Sequence, residues 1–127
     1  MAKTFDWSSY YSLAQELANQ ANNSELQEAR WRSAISRAYY AVFHEAKNYL
    51  QTRVYSNRVF PTKDVHEFVI SEFKRLDQTH YKVGIFLERL RLARNKADYT
   101  AQYSLTLNDV QFLLTTAAKV IESLAGF

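Results

Sequence analysis

Residues 32–50 read RSAISRAYYAVFHEAKNYL. At 3.6 residues per turn, Ile35, Ala38, Val42, Ala46 and Tyr49 fall on one stripe, and neither glycine nor proline interrupts the run. That pattern predicts the centre of a long helix. Upstream, Ser24 followed three residues later by Gln27 has the form of a capping box, so the helix is expected to open there and to reach roughly Gln51.

Working outward, the same periodicity recurs on both sides. Asp6 or Ser8 can cap a first helix to about Ala21, with Tyr11, Leu13, Ala14, Leu17 and Ala18 as its apolar face. The segment TRVYSNRVFPTKD, residues 52–64, breaks the pattern: Pro61 lacks a backbone donor and disfavours helix at Phe60, so this is expected to be the longest loop. Thr62 can cap a third helix with Val65, Phe68, Val69 and Phe73 inward. DQTHYK is read as a turn into a fourth helix from about Tyr81 to Lys96, with Phe86, Leu90, Ala93 and Ala97 as its core stripe. Gly84 costs that helix about 1 kcal/mol relative to alanine unless something packs closely against it. Thr106 with Asp109 resembles a capping box opening a last helix through Phe112, Leu113, Ala117, Val120, Ile121 and Leu124.

Two glycines and one proline are too few for the many tight turns of an all-β fold. The expected architecture is all-α, an antiparallel up-and-down bundle of about five helices. A length of 127 residues, 47% hydrophobic and 23% charged, fits a single domain over 1–127 with a core of its own. The absence of cysteine removes disulfides and thiolate metal sites and suits a reducing compartment. The N-terminal MAKTFDWSSYYSLAQEL lacks a signal pattern, and no apolar run approaches a membrane span, so a cytoplasmic protein without a membrane partner is expected. A net charge of +3 permits an anionic partner.

The chemistry concentrates in residues 91–99, RLARNKADY. Beside the core stripe of the fourth helix runs a second stripe, Leu87, Arg91, Arg94 and Asp98, bordering the core. Arg94 and Asp98 stand at i and i+4. A plain surface ion pair there is worth only about 0.2–0.5 kcal/mol, and the basic-before-acidic order is the less favourable one. An aspartate near a helix C-terminus also opposes the macrodipole. The second helix carries a comparable shoulder, Ser33, Arg37, Tyr40, His44 and Lys47, which is either merely solvated or faces the Arg91, Arg94, Asp98, Tyr99 stripe across a groove. The second arrangement gathers guanidinium groups for phosphate oxygens and aromatic faces for bases. Arg53, Tyr55, Arg58 and Phe60 in the long loop repeat the basic and aromatic mixture as a weaker signal.

RSAISRAYYAVFHEAKNYL, followed by LRLARNKADY, resembles the HEPN family (higher eukaryotes and prokaryotes nucleotide-binding domain), with SRAYYAVFHEA the more specific portion. The resemblance spans Leu13 to Leu124 and implies a compact helical bundle, usually a homodimer. It also implies frequent association with a nucleotidyltransferase or a toxin–antitoxin partner, and RNA binding or cleavage. The family's ribonuclease motif is an arginine followed after four to six residues by a histidine. Arg94 matches the arginine, but Tyr99, Thr100 and Ala101 occupy the histidine positions. The segment instead resembles a subgroup reading Arg, two residues, Ala-Asp-Tyr, matched by Arg94, Ala97, Asp98 and Tyr99.

Arg75 to His80 and Arg37 to His44 also fit the arginine-to-histidine spacing, as short motifs do by chance. The three histidines show no metal-ligand spacing, and there is no phosphate loop, nucleophile elbow or dinucleotide fingerprint. No metal and no cofactor is expected. Three readings remain: a non-catalytic RNA- or nucleotide-binding module with Arg94, Asp98, Tyr99, Arg91, Arg37, Tyr40 and His44 as its site; a metal-independent ribonuclease using Arg94 with Asp98, Tyr99 or His44; and a structural interaction bundle. Tyr39 and Phe43, beside the core stripe, are expected to be structural, and 15% aromatic content adds to the expectation of a homodimer.

Overall fold

The computed structural model describes residues 4–20, 25–56 and 58–127. Among them are five α-helices and no strand: α1 (Ser9–Asn19), α2 (Gln27–Tyr49), α3 (Val65–Arg75), α4 (Gln78–Tyr99) and α5 (Leu107–Gly126). The chain is thus an all-α bundle. Helix α2, 23 residues and roughly 35 Å long, packs against each of the other four. Its stripe Ile35, Ala38, Val42 and Ala46 is fully buried and Tyr49 partly so, which makes the opening stretch the axis of the core.

Local chemistry sets most boundaries. The Asp6 carboxylate accepts from the Ser8 backbone N–H at 3.0 Å, so of the two candidate caps for α1 it is Asp6 that engages the backbone. The expected end at Ala21 and the Ser24 cap lie outside the described residues. Gln27 begins α2, with Leu26 at the cap position. After Tyr49 the helix widens into a π-helical turn, Leu50–Val54, closed by Tyr55 N–H to Leu50 carbonyl at 2.7 Å; the long loop is correspondingly shorter than expected. Thr62 does not cap α3. Asp64 stands at that position in the left-handed region (φ 57°), which its short polar side chain tolerates.

The segment read as a turn before the fourth helix is its N-terminus. Asp77 accepts from the His80 backbone N–H at 3.0 Å, so α4 starts three residues before Tyr81, and it continues past Lys96 to Tyr99. Thr106 and Asp109 form the reciprocal capping box, with bonds of 3.2 and 3.0 Å. A Cβ on Gly84 would lie 2.8 Å from Lys74 Cγ and 3.3 Å from the Ile70 carbonyl oxygen, so the glycine lets α3 and α4 approach closely.

Two residues placed on core faces are exposed: Leu13 at 38% and Phe112 at 56%. Ala14 and Ala18 carry the buried face of α1, and Phe112 lies under the Arg89 guanidinium at 5.6 Å on the wall of a surface cleft. Two members of the second stripe of α4 sit deeper than their expected place at the core's border, whereas Arg91 is half-buried and Asp98 exposed. Leu87 is fully buried and Arg94 is only 7% exposed.

Candidate functional site

Helix α4 is held to α2 at its C-terminal end by Arg32. Nη1 donates to the carbonyl oxygens of Ala97 (3.0 Å) and Thr100 (2.6 Å), and Nη2 donates to that of Ala101 (3.0 Å). Last-turn carbonyls of a helix have no partner within it, and a cation there also complements the macrodipole. Beside Lys96 of its own last turn, this terminus is thus balanced by a cation from a different helix, which fixes the turn bearing Arg94 and Asp98 against α2.

Arg94 lies inside the bundle wall as a buried cation. Its guanidinium carbon is 5.3 Å from the centre of the Tyr39 ring and 5.2 Å from that of Tyr40. Nε is shielded from solvent and has no hydrogen-bond partner. Asp98 Oδ2 is 3.9 Å from Nη1, beyond hydrogen-bonding distance, and accepts from Ser36 Oγ at 3.2 Å. The aromatic pair, more than the aspartate, sets the direction of the guanidinium. Burying an ion costs several kcal/mol unless charge and hydrogen bonds compensate it, and here the compensation is incomplete.

His66 on α3 completes the cluster. Its Nδ1 is 2.6 Å from the Tyr39 hydroxyl, and its ring stacks on Phe43 at 4.0 Å and 20°. Burial lowers its pKa to about 4, helped by the neighbouring charges of Arg94 and Arg91 and, more weakly, His44 and Lys47. Burial pushes the Tyr39 phenol strongly upward, with Arg91 and Arg94 opposing that rise. Tyr39 is a core residue, as expected, but its hydroxyl also belongs to this cluster. The sequence did hold a signal for His66: with Val69 and Phe73 it lies at helical spacing on the inward face of α3.

The other candidates divide. Tyr40 joins the cluster through Arg94. Arg91 approaches it from α4, and its Nε is likewise buried without a partner. Arg91 also lines a cleft of about 240 Å³ between α3 and α4 with Glu67, Ser71, Lys74, Glu88 and Asn95. Arg37 and His44 turn toward the N-terminal segment: Arg37 lies over Tyr10 at 5.1 Å, and His44 stacks on Trp7 at 3.6 Å and 16°. Burial, with Lys47, lowers the His44 pKa. Tyr99 is 77% exposed.

The remaining basic signals have structural partners. Arg58 and Arg75 both pair with the buried Glu72, at 3.2 and 2.9 Å, and Arg53 donates to the Phe127 carbonyl oxygen at 2.6 Å. His80 Nδ1 lies 2.7 Å from Asp77 and its Nε2 lies 2.7 Å from the Tyr49 hydroxyl. A cleft of about 690 Å³ between α4 and α5 is lined by Arg89, Leu92, Lys96 and Phe112 among others, and includes none of Arg91, Arg94 or His66. Among the described residues no helix is long and apolar enough to cross a membrane.

No curated protein and no solved structure matches the chain. The family model of the HEPN domain matches residues 9–126, and the chain belongs to that family, a nucleotide- or RNA-related helical module.

Proposed function

We propose that this HEPN domain, taken as a single unit over residues 1–127, is a non-catalytic RNA- or nucleotide-binding module whose phosphate contacts are made by Arg94 and Arg91. The observation that carries the reading is the buried Arg94 guanidinium, with its Nε unpartnered and its carboxylate neighbour 3.9 Å away. A phosphate supplies both the charge and the planar acceptor pair that such a group lacks. Tyr40 offers an aromatic face beside it and Asp98 and Tyr99 follow along α4, while Arg37 and His44, engaged by Tyr10 and Trp7, are the more remote members of the proposed site. The non-catalytic reading is supported by Tyr99, Thr100 and Ala101 where the family's motif has histidine, and by the engagement of His44 with Trp7. Family membership supports a homodimer that works with a nucleotidyltransferase or toxin–antitoxin partner. The lack of cysteine suits a cytoplasmic setting.

Fluorescence anisotropy with short single-stranded RNA and a nucleotide panel, at fixed salt, tests the reading. Arg94→Ala is expected to abolish binding, and Arg94→Lys to leave it unrestored because an ammonium cannot reproduce the planar fork. Asp98→Asn is expected to weaken binding less. Thermal melts run in parallel separate lost contacts from lost fold. Unchanged affinity in a folded Arg94→Ala protein would sink the reading.

A further inference from the structure

We propose that His66 is the third cation of the phosphate cradle: a neutral imidazole in the free protein, it takes a proton from solvent as a phosphodiester binds beside Arg91 and Arg94, so that affinity rises as pH falls. The inference rests on the binding reading above and adds to it a residue from α3 and a proton.

Three features of the geometry support it. First, His66 is fixed in place. Stacking on Phe43 at 4.0 Å and the 2.6 Å contact of Nδ1 with Tyr39 hold the ring beside the hydroxyl that shares its aromatic wall with Arg94. In the imidazolium both nitrogens carry hydrogen; Nδ1–H then donates to the Tyr39 oxygen, and Nε2–H remains for a ligand oxygen. Second, the cluster holds more positive than negative charge. Arg91 and Arg94 each carry a shielded Nε without a partner, and the carboxylate near Arg94, Asp98, is 3.9 Å away and shared with Ser36. Of the two glutamates lining the cleft that Arg91 borders, Glu67 and Glu88, the second is paired with Lys74.

Third, the groups acting on His66 all oppose its protonation in the free protein. Around the ring stand Tyr39, Tyr40, His44 and Lys47 from α2, and Arg91 and Arg94 from α4. Burial and the two arginines are the main reasons the ring stays neutral. A bound phosphodiester offsets the arginine charges and presents its own, which turns the same surroundings from repelling a proton to favouring one. By linkage, whatever raises proton affinity on ligand binding raises ligand affinity on protonation by the same factor.

Oligouridine is the suitable probe, because neither its phosphodiesters nor its bases change charge over the acidic range in question. The test is an NMR pH titration of the His66 ring proton, with and without saturating oligouridine, and calorimetric affinities of the full chain at pH 5 and 7. Expected are an upward shift of the His66 midpoint by about 1.5 units or more, and, by the same linkage, binding at least about threefold tighter at pH 5 than at pH 7. The same pH comparison should be flat in His66→Gln, with melts at both pH values verifying the fold. His66→Asn provides a second replacement, and the NMR shift in the unmutated protein needs neither. Binding with an unmoved His66 midpoint would overturn the inference and leave the binding module standing. No oligouridine or nucleotide binding at any pH would overturn both.

Discussion

Arg32 Nη1 on α2 reaches the carbonyl oxygen of Thr100 at 2.6 Å, just past the end of α4, while its Nε is paired with Glu28 one turn back on its own helix. One side chain therefore closes the C-terminus of α4 and ties it to the central helix. Arg32→Ala should cost about 1–3 kcal/mol, since three carbonyl contacts are lost at a partly solvated position. The loss should be local as well as global: amide exchange near residues 97–101 should accelerate more than elsewhere. An unaltered denaturation midpoint with unaltered exchange there would show that water replaces the arginine without penalty.

Tyr39 is fully buried and bonded through its hydroxyl to His66. Truncation to alanine should cost about 3–5 kcal/mol, in line with other large aromatic deletions. Tyr39→Phe keeps the ring beside Arg94 and removes the oxygen alone, so about 1–3 kcal/mol is expected from the unsatisfied His66 nitrogen. Chemical denaturation of both variants checks the order. A loss below 1 kcal/mol in Tyr39→Ala would contradict the packing of α2.

Gly84→Ala sets two effects against each other. Alanine gains about 1 kcal/mol in helix propensity. Its Cβ, however, would stand 3.2 Å from the Lys74 backbone nitrogen and 3.3 Å from the Ile70 carbonyl oxygen, atoms of another helix that cannot swing aside. Overpacking of this kind costs about 1–3 kcal/mol, so net destabilisation is expected, larger still for Gly84→Val. A more stable Gly84→Ala protein would mean that α3 can shift away from α4 at little cost.

Stability should fall with acidification through the His66 window. The folded-state pKa, about 4, lies below the ordinary histidine value of about 6.5, so between these limits the unfolded chain binds more protons. The stabilising contribution is therefore complete above roughly pH 6.5 and is lost progressively as pH falls toward 4. Urea unfolding from pH 7 to 4.5 should show this slope reduced in His66→Gln. Asp77, held well below the usual carboxylate range by its bonds to His80 and Thr79, acts at lower pH. Its contribution begins to be lost as pH falls through the ordinary aspartate value of about 3.9 and is gone below its depressed folded pKa, beneath the histidine window. A slope identical in the variant and the parent would remove His66 as its source.

The sequence by itself determined the helical character of the chain. The apolar stripe of residues 35–49, the Thr106–Asp109 capping box and the scarcity of glycine and proline are local signals, because helix periodicity and capping operate within one or two turns. It also drew attention to Arg94, through its awkward order with Asp98. Tertiary structure alone decided what each side chain meets. Tyr39 and His66 are 27 residues apart, and Arg32 and Ala97 are 65 apart. Arg37 and His44, which the sequence left either solvated or facing Arg94, lie against Tyr10 and Trp7. Periodicity says which side of a helix is apolar, but not which neighbour covers it or how deeply. That is why Leu13 and Phe112 lie exposed while the guanidinium of Arg94 is buried between helices.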